Sequence, residues 1–136
     1  VEAPQEVAAA DGWMVTIDNR SSGAVMLVHD LSNLELDPVE MLNGSISLST
    51  PFDVESNRLA VANSTSLMVF DLMKRTDSGY ANILNKESTQ PEEVYLSSSA
   101  TSAYIVMLSD GNLSAMDVHG VRSTSDSISV QSLMSR

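Results

Sequence analysis

Apolar and polar positions alternate in short runs along most of the chain, and three of those runs close on an aspartate. Residues 24–31 run apolar into Asp30 and out through Leu31. Residues 66–72 do the same at Asp71, and residues 112–118 at Asp117. The aspartates stand 41 and 46 residues apart, a period shared by sheet-built and helix-built repeats. What precedes each aspartate decides between the two. Residues 13–19, 58–63 and 104–108 are strand-like, and each is joined to the next run by a polar turn at 19–23, 63–65 or 109–111. These turns consist of residues that tolerate left-handed backbone or bond their own main chain, and Asp110-Gly111 is the strongest hairpin signal among them.

Extending outward, each copy has room for a leading and a trailing strand. Leading strands are expected at 6–10, 45–50 and 93–98, and trailing strands at 38–42, 80–84 and 127–133. Three consecutive alanines, Ala8 to Ala10, are poor strand material, so the first leading strand is expected to be either missing or supplied from elsewhere. Polar stretches at 32–37, 74–79 and 85–92 read as surface loops. No window of eleven or more residues keeps a helical period unbroken by Gly, Pro or a Ser/Asn cluster, so no long helix is expected. The resulting fold class is all-β: three tandem four-stranded antiparallel units at about 6–43, 44–85 and 92–134 within a single segment, 1–136.

Composition narrows the partners. At 136 residues and 14.6 kDa the chain is one domain by length. Aromatics are 4% against a hydrophobic fraction of 43%, so the core must be filled by aliphatic side chains and by eight methionines. A net charge of −11 repels nucleic-acid phosphates and anionic membranes, and no run approaches the ~18 apolar residues of a spanning helix. Neither nucleic acid nor membrane insertion is expected. The absence of cysteine removes disulfides, thiolate metal sites and thiol nucleophiles but leaves the compartment open. Four N-x-S/T sequons, at Asn19, Asn43, Asn63 and Asn112, would suit a secreted or luminal protein, although a chain this rich in Ser and Thr yields about two by chance. A start at Val1 suggests trimming or excision from something longer.

The aspartate-closed runs resemble the blades of β-propellers. Where WD40 repeats carry a Trp-Asp dipeptide, these copies read His29-Asp30, Phe70-Asp71 and Met116-Asp117. The third copy, 109–120, is similar to the quinoprotein-type repeat, in which a DG turn leads to an ALD-like ending. Neither the Gly-His dipeptide of WD40 blades nor the closing Trp of quinoprotein-type blades is present. The resemblance implies three propeller blades, in which Asp30, Asp71 and Asp117 are structural repeat positions. Each carboxylate stands where it can accept backbone N–H groups of the following turn.

Catalytic, cofactor and metal constellations are not found. His29 and His119 lie beside repeat aspartates, but neighbours on a strand face opposite sides, and no G-x-S-x-G elbow occurs. Nucleotide loops and zinc-protease motifs are absent from the sequence, the acids form no calcium ladder, and Glu92-Glu93 reads as a solvated charge patch. Met41, Met73 and Met134 fall near element ends, where a partner surface can use them. The expectation is a non-catalytic binding or scaffolding segment of a propeller. The alternative is part of a quinoprotein-like dehydrogenase or hydrolase whose active groups lie on other blades. Propellers close with about four to eight blades, so three imply an oligomer or further blades of a longer chain as partner.

Overall fold

A computed structural model describes residues 6–98, 103–118 and 128–129. Twelve strands and no helix are found among the described residues. Sheet 1 contains β1 (Glu6–Ala10), β2 (Trp13–Arg20), β3 (Gly23–Asp30) and β4 (Val39–Ile46). Sheet 2 contains β5 (Phe52–Glu55), β6 (Arg58–Ala62), β7 (Ser66–Thr76) and β8 (Gly79–Glu87). Sheet 3 contains β9 (Glu93–Ser98), β10 (Ala103–Ser109), β11 (Asn112–Asp117) and the two-residue β12 (Ile128–Ser129). Each is an antiparallel meander with its strands side by side in chain order. The β1–β2, β3–β4, β5–β6 and β7–β8 turns therefore share one end of the sheets, the lower rim, and the β2–β3, β6–β7 and β10–β11 turns share the upper rim.

The three sheets share the same pairing register around the recurring aspartate. Asp30 pairs with Trp13, Asp71 with Arg58 and Asp117 with Tyr104. In each copy the next residue's N–H reaches the carbonyl just ahead of that partner: Leu31 to Gly12 (2.8 Å), Leu72 to Asn57 (2.9 Å) and Val118 to Ala103 (3.0 Å).

Alternation along the strands builds two cores on either side of sheet 2. Trp13, Val15, Ile17, Met26 and Val28 of sheet 1 meet Val54, Leu59, Val61, Met68, Phe70 and Tyr80 of sheet 2. The opposite face of sheet 2, with Ala60, Ala62, Leu67 and Val69, meets Val94, Leu96, Ile105, Met107 and Met116 of sheet 3. Burying each large aliphatic side chain of this kind stabilises by about 1.5–3 kcal/mol.

Several expectations from the sequence are corrected. The second leading strand is not 45–50 but Phe52–Glu55. Residues 47–50 form a turn in which Thr50 Oγ1 accepts the Ser47 N–H (2.8 Å) and Ser47 O accepts the Thr50 N–H (3.1 Å), the local bonding by which Ser and Thr compete with strand. The alanine-rich leading strand does form, with five pairs to β2, because the Asp11-Gly12 turn (φ 54° and 86°) folds it back and Ala8 and Ala10 fit against the core. The polar stretch 74–79 is not a loop. Strand β7 continues through Thr76 and only Asp77 and Ser78 turn, with a register shift between Asp71 and Arg75. The Arg75 guanidinium fixes this hairpin by lying 5.3 Å from the Tyr80 ring centroid and donating to Gly79 O (2.8 Å). Of the trailing strand at 127–133, only Ile128 and Ser129 are among the described residues.

Candidate functional site

The lower rim between sheets 1 and 2 holds a groove of about 490 Å³. Its floor is the end of the first core: Trp13, Val28, Val39, Leu72 and Tyr80. Its walls are the β3–β4 loop, 31–38, and the β7–β8 hairpin, which bring Leu36 and Met73 to the mouth with Asp30, Asp37 and Arg75.

The loop has a defined shape because its polar side chains bond the local main chain. Asp30 Oδ1 accepts both the Ser32 N–H (2.9 Å) and the Ser32 hydroxyl (2.6 Å). Asn33 N–H donates to Asp30 O (3.2 Å), Leu36 N–H to Asn33 O (3.2 Å) and Glu35 N–H to Asn33 Oδ1 (3.3 Å). These successive turns leave Leu34 76% and Leu36 61% exposed, and across the groove Met73 is 69% exposed. Three large apolar side chains, two from the loop and one from β7, are thus held in water at one rim.

The aromatic floor is fastened across both sheets. Trp13 and Tyr80 meet edge to face, with centroids 6.0 Å apart and rings at 87°. Trp13 Nε1 donates to Asn57 Oδ1 (2.8 Å), and Asp11 Oδ2 accepts the Ser56 N–H (2.7 Å), so the two sheets are tied at this rim. Burial raises the Tyr80 phenol above its ordinary pKa against the opposing pull of Arg75.

The repeat aspartates are not brought together; each occupies the same place on its own sheet. Asp30 lines the groove. Asp71 Oδ1 accepts the Met73 N–H (2.9 Å) beside a second, more polar cavity of about 370 Å³. Asp117 closes β11. Of the methionines expected at element ends, Met73 is at the groove, Met41 is buried against Gly79, and Met134 lies outside the described residues, as does His119. His29 faces away from Asp30 and shares a hydrogen bond with Thr16 Oγ1 (3.3 Å), and burial holds its imidazole below its ordinary pKa. On that same outward face of sheet 1, buried Asp18 pairs with Arg20 (3.0 Å) through Oδ2, while its Oδ1 has no hydrogen-bond partner among the described residues. Arg20 also pairs with Glu40.

Among the described residues, no three or more of His, Asp and Glu are grouped to hold a metal ion. Leu34 and Leu36 escaped the sequence reading, although Leu31, Leu34 and Leu36 form an apolar series inside an otherwise polar loop. Comparison with protein-family models, curated proteins and solved structures finds no match to this chain.

Proposed function

We propose that the chain is a non-catalytic binding or scaffolding segment of a β-propeller, three blades that mediate protein–protein association and are completed by a second copy or by further blades. The common meander order, the shared aspartate register and the burial of sheet 2 on both faces support the blade reading. The observation that carries the function is the outward face of sheet 3. Tyr95 and Tyr104 are 48% and 38% exposed, and Val106, Leu108 and Leu113 beside them are only half-buried. On sheet 2 the equivalent face is covered by a neighbouring sheet, and an apolar face of that kind is what a further blade would cover. The charge of −11 directs the module away from nucleic acid.

Sedimentation velocity on the isolated chain tests this. An assembly larger than 14.6 kDa is expected, and Val106→Glu, which puts a charge on the outward face of sheet 3, should shift it toward monomer. A stable monomer that binds no hydrophobic dye would remove the reading.

A further inference from the structure

We propose that the lower-rim groove receives an extended segment of a partner protein in which a lysine or arginine is flanked by apolar side chains. This inference rests on reading the chain as a protein-binding module and assigns the chemistry of what one of its rims binds.

The apolar half of the requirement comes from the walls. Leu36 and Met73 face each other across a groove floored by Val28, Val39 and Leu72, and both are more than half exposed. A leucine- or methionine-sized side chain entering there would remove apolar surface from water on both sides. The β3–β4 loop and the β7–β8 hairpin bound the groove on either side. A peptide in extended form, presenting alternate side chains to the floor, fits between them.

The cationic half comes from the mouth, where Asp30 and Asp37 both line the groove. One Asp30 oxygen is held by Ser32, and the described ion pairs of this region of the chain use neither carboxylate. Arg75 also lines the groove and keeps its charge while it stacks on the Tyr80 ring and donates to Gly79 O, so among the described lining residues two carboxylates stand against one guanidinium. Two carboxylates beside an apolar floor, in a chain with eleven more acids than bases, favour a guanidinium or ammonium and disfavour an acidic segment.

Trp13 is the chain's single tryptophan and lies in the floor, so its fluorescence reports on occupancy. The probes are three capped hexapeptides: alternating leucine and lysine, alternating leucine and glutamate, and alternating serine and lysine. The leucine–lysine peptide should change the Trp13 emission saturably, and the other two should bind at least about tenfold more weakly. Leu36→Ser with Met73→Ser, both on the exposed rim, should weaken the leucine–lysine peptide about tenfold or more while leaving thermal unfolding in place. Asp37→Asn should weaken it about threefold and flatten its salt dependence. Equal binding of the leucine–glutamate or the serine–lysine peptide would overturn the proposed chemistry, and an unchanged titration in the double serine variant would overturn the site. Sedimentation of the same samples separates the two readings. A chain that assembles but ignores the leucine–lysine peptide loses this inference alone, whereas a monomer that binds it in the groove loses only the assembly.

Discussion

Sheet 2 meets its two neighbours through different chemistries. Toward sheet 1 it presents Leu59, Val61, Met68, Phe70 and Tyr80, and the junction is fastened at the lower rim by the Trp13–Tyr80 edge contact, the Trp13–Asn57 bond and the Asp11–Ser56 bond. Toward sheet 3 it presents the smaller set Ala60, Ala62, Leu67 and Val69. There the polar ties include Asp53 Oδ2, which accepts the Leu96 N–H on edge strand β9 (2.7 Å), and the Lys86 ammonium, which reaches Met116 Sδ (4.0 Å). The alternation in β6, Leu59-Ala60-Val61-Ala62, sorts large side chains to one junction and small ones to the other. A strand buried on both faces reads as a continuous apolar run, and here side-chain size, not polarity, separates its two faces. The first junction is directional and aromatic; the second is an aliphatic seam filled mainly from sheet 3 by Ile105, Met107 and Met116.

Removing the anchor of each junction measures this contrast most directly. Trp13→Ala should cost about 3–5 kcal/mol, because it leaves a cavity and also strips the Asn57 bond and the Tyr80 edge. Ile105→Ala, a pure aliphatic loss at the second junction, should cost about 2–4 kcal/mol. Urea unfolding of both reads the difference, and equal costs would show that the aromatic fastening adds nothing beyond apolar volume.

A tighter probe of the first junction is Gly79→Ala. A Cβ on Gly79 would lie 2.9 Å from Met41 Cγ, and the backbone there has φ 138°. About 1–3 kcal/mol of destabilisation follows from the crowding, and trimming the neighbour with Met41→Ala should make the glycine substitution cheaper when the two are combined. Strict additivity would show that the two residues do not touch.

For the second junction, Asp53→Ala should cost about 1–2 kcal/mol, since the Leu96 N–H loses its acceptor at a partly buried sheet edge. Asp53→Asn keeps an acceptor and should be nearly neutral. Hydrogen exchange at Leu96 should accelerate in the alanine variant alone.

The smallest effect is the response to pH, and it has opposite signs at His29 on sheet 1 and at Asp53 on sheet 2. Burial lowers the pKa of His29 below 6.5, so its contribution to stability is present above that value and is lost as pH falls through the folded-state value. Burial raises Asp53 above 3.8 despite the Leu96 and Val54 N–H groups, so its contribution is full below 3.8 and is lost as pH rises through the folded-state value. His29→Gln should flatten the decline in melting temperature between neutral and mildly acidic pH, and Asp53→Asn should remove the counter-trend at lower pH. Identical pH profiles for the wild type and both variants would contradict these assignments.

Strand content and spacing were legible because they rest on period-two alternation and turn chemistry. Residues 104–108 and 112–118 around Asp110-Gly111 anticipate β10 and β11 closely. Where reading failed, side-chain bonds overrode composition. Ser47 and Thr50 bond each other's backbone and end a strand that their neighbours suggest. Conversely, 74–79 is polar enough for a loop, but Arg75 stacks on Tyr80 and holds it as a hairpin. The groove was not legible beyond Met73, because it is made by a loop of sheet 1 facing a hairpin of sheet 2. No local pattern records which two segments the packing of the sheets will bring opposite each other.

The β5–β6 turn has a further consequence. Ser56 and Asn57 both sit at positive φ, 49° and 61°, in a tight turn where glycine would be the comfortable choice. Besides the Leu72 N–H of their own sheet on Asn57 O, the neighbouring sheet holds them there: the Asp11 carboxylate on the Ser56 N–H and the Trp13 indole on the Asn57 side chain. The hairpin is thus finished in part by its neighbour. Repeat arrays whose units are self-sufficient unfold piecemeal from their ends. A unit whose turn is completed in part by the preceding one unfolds with it, so sheets 1 and 2 should behave as one cooperative folding block.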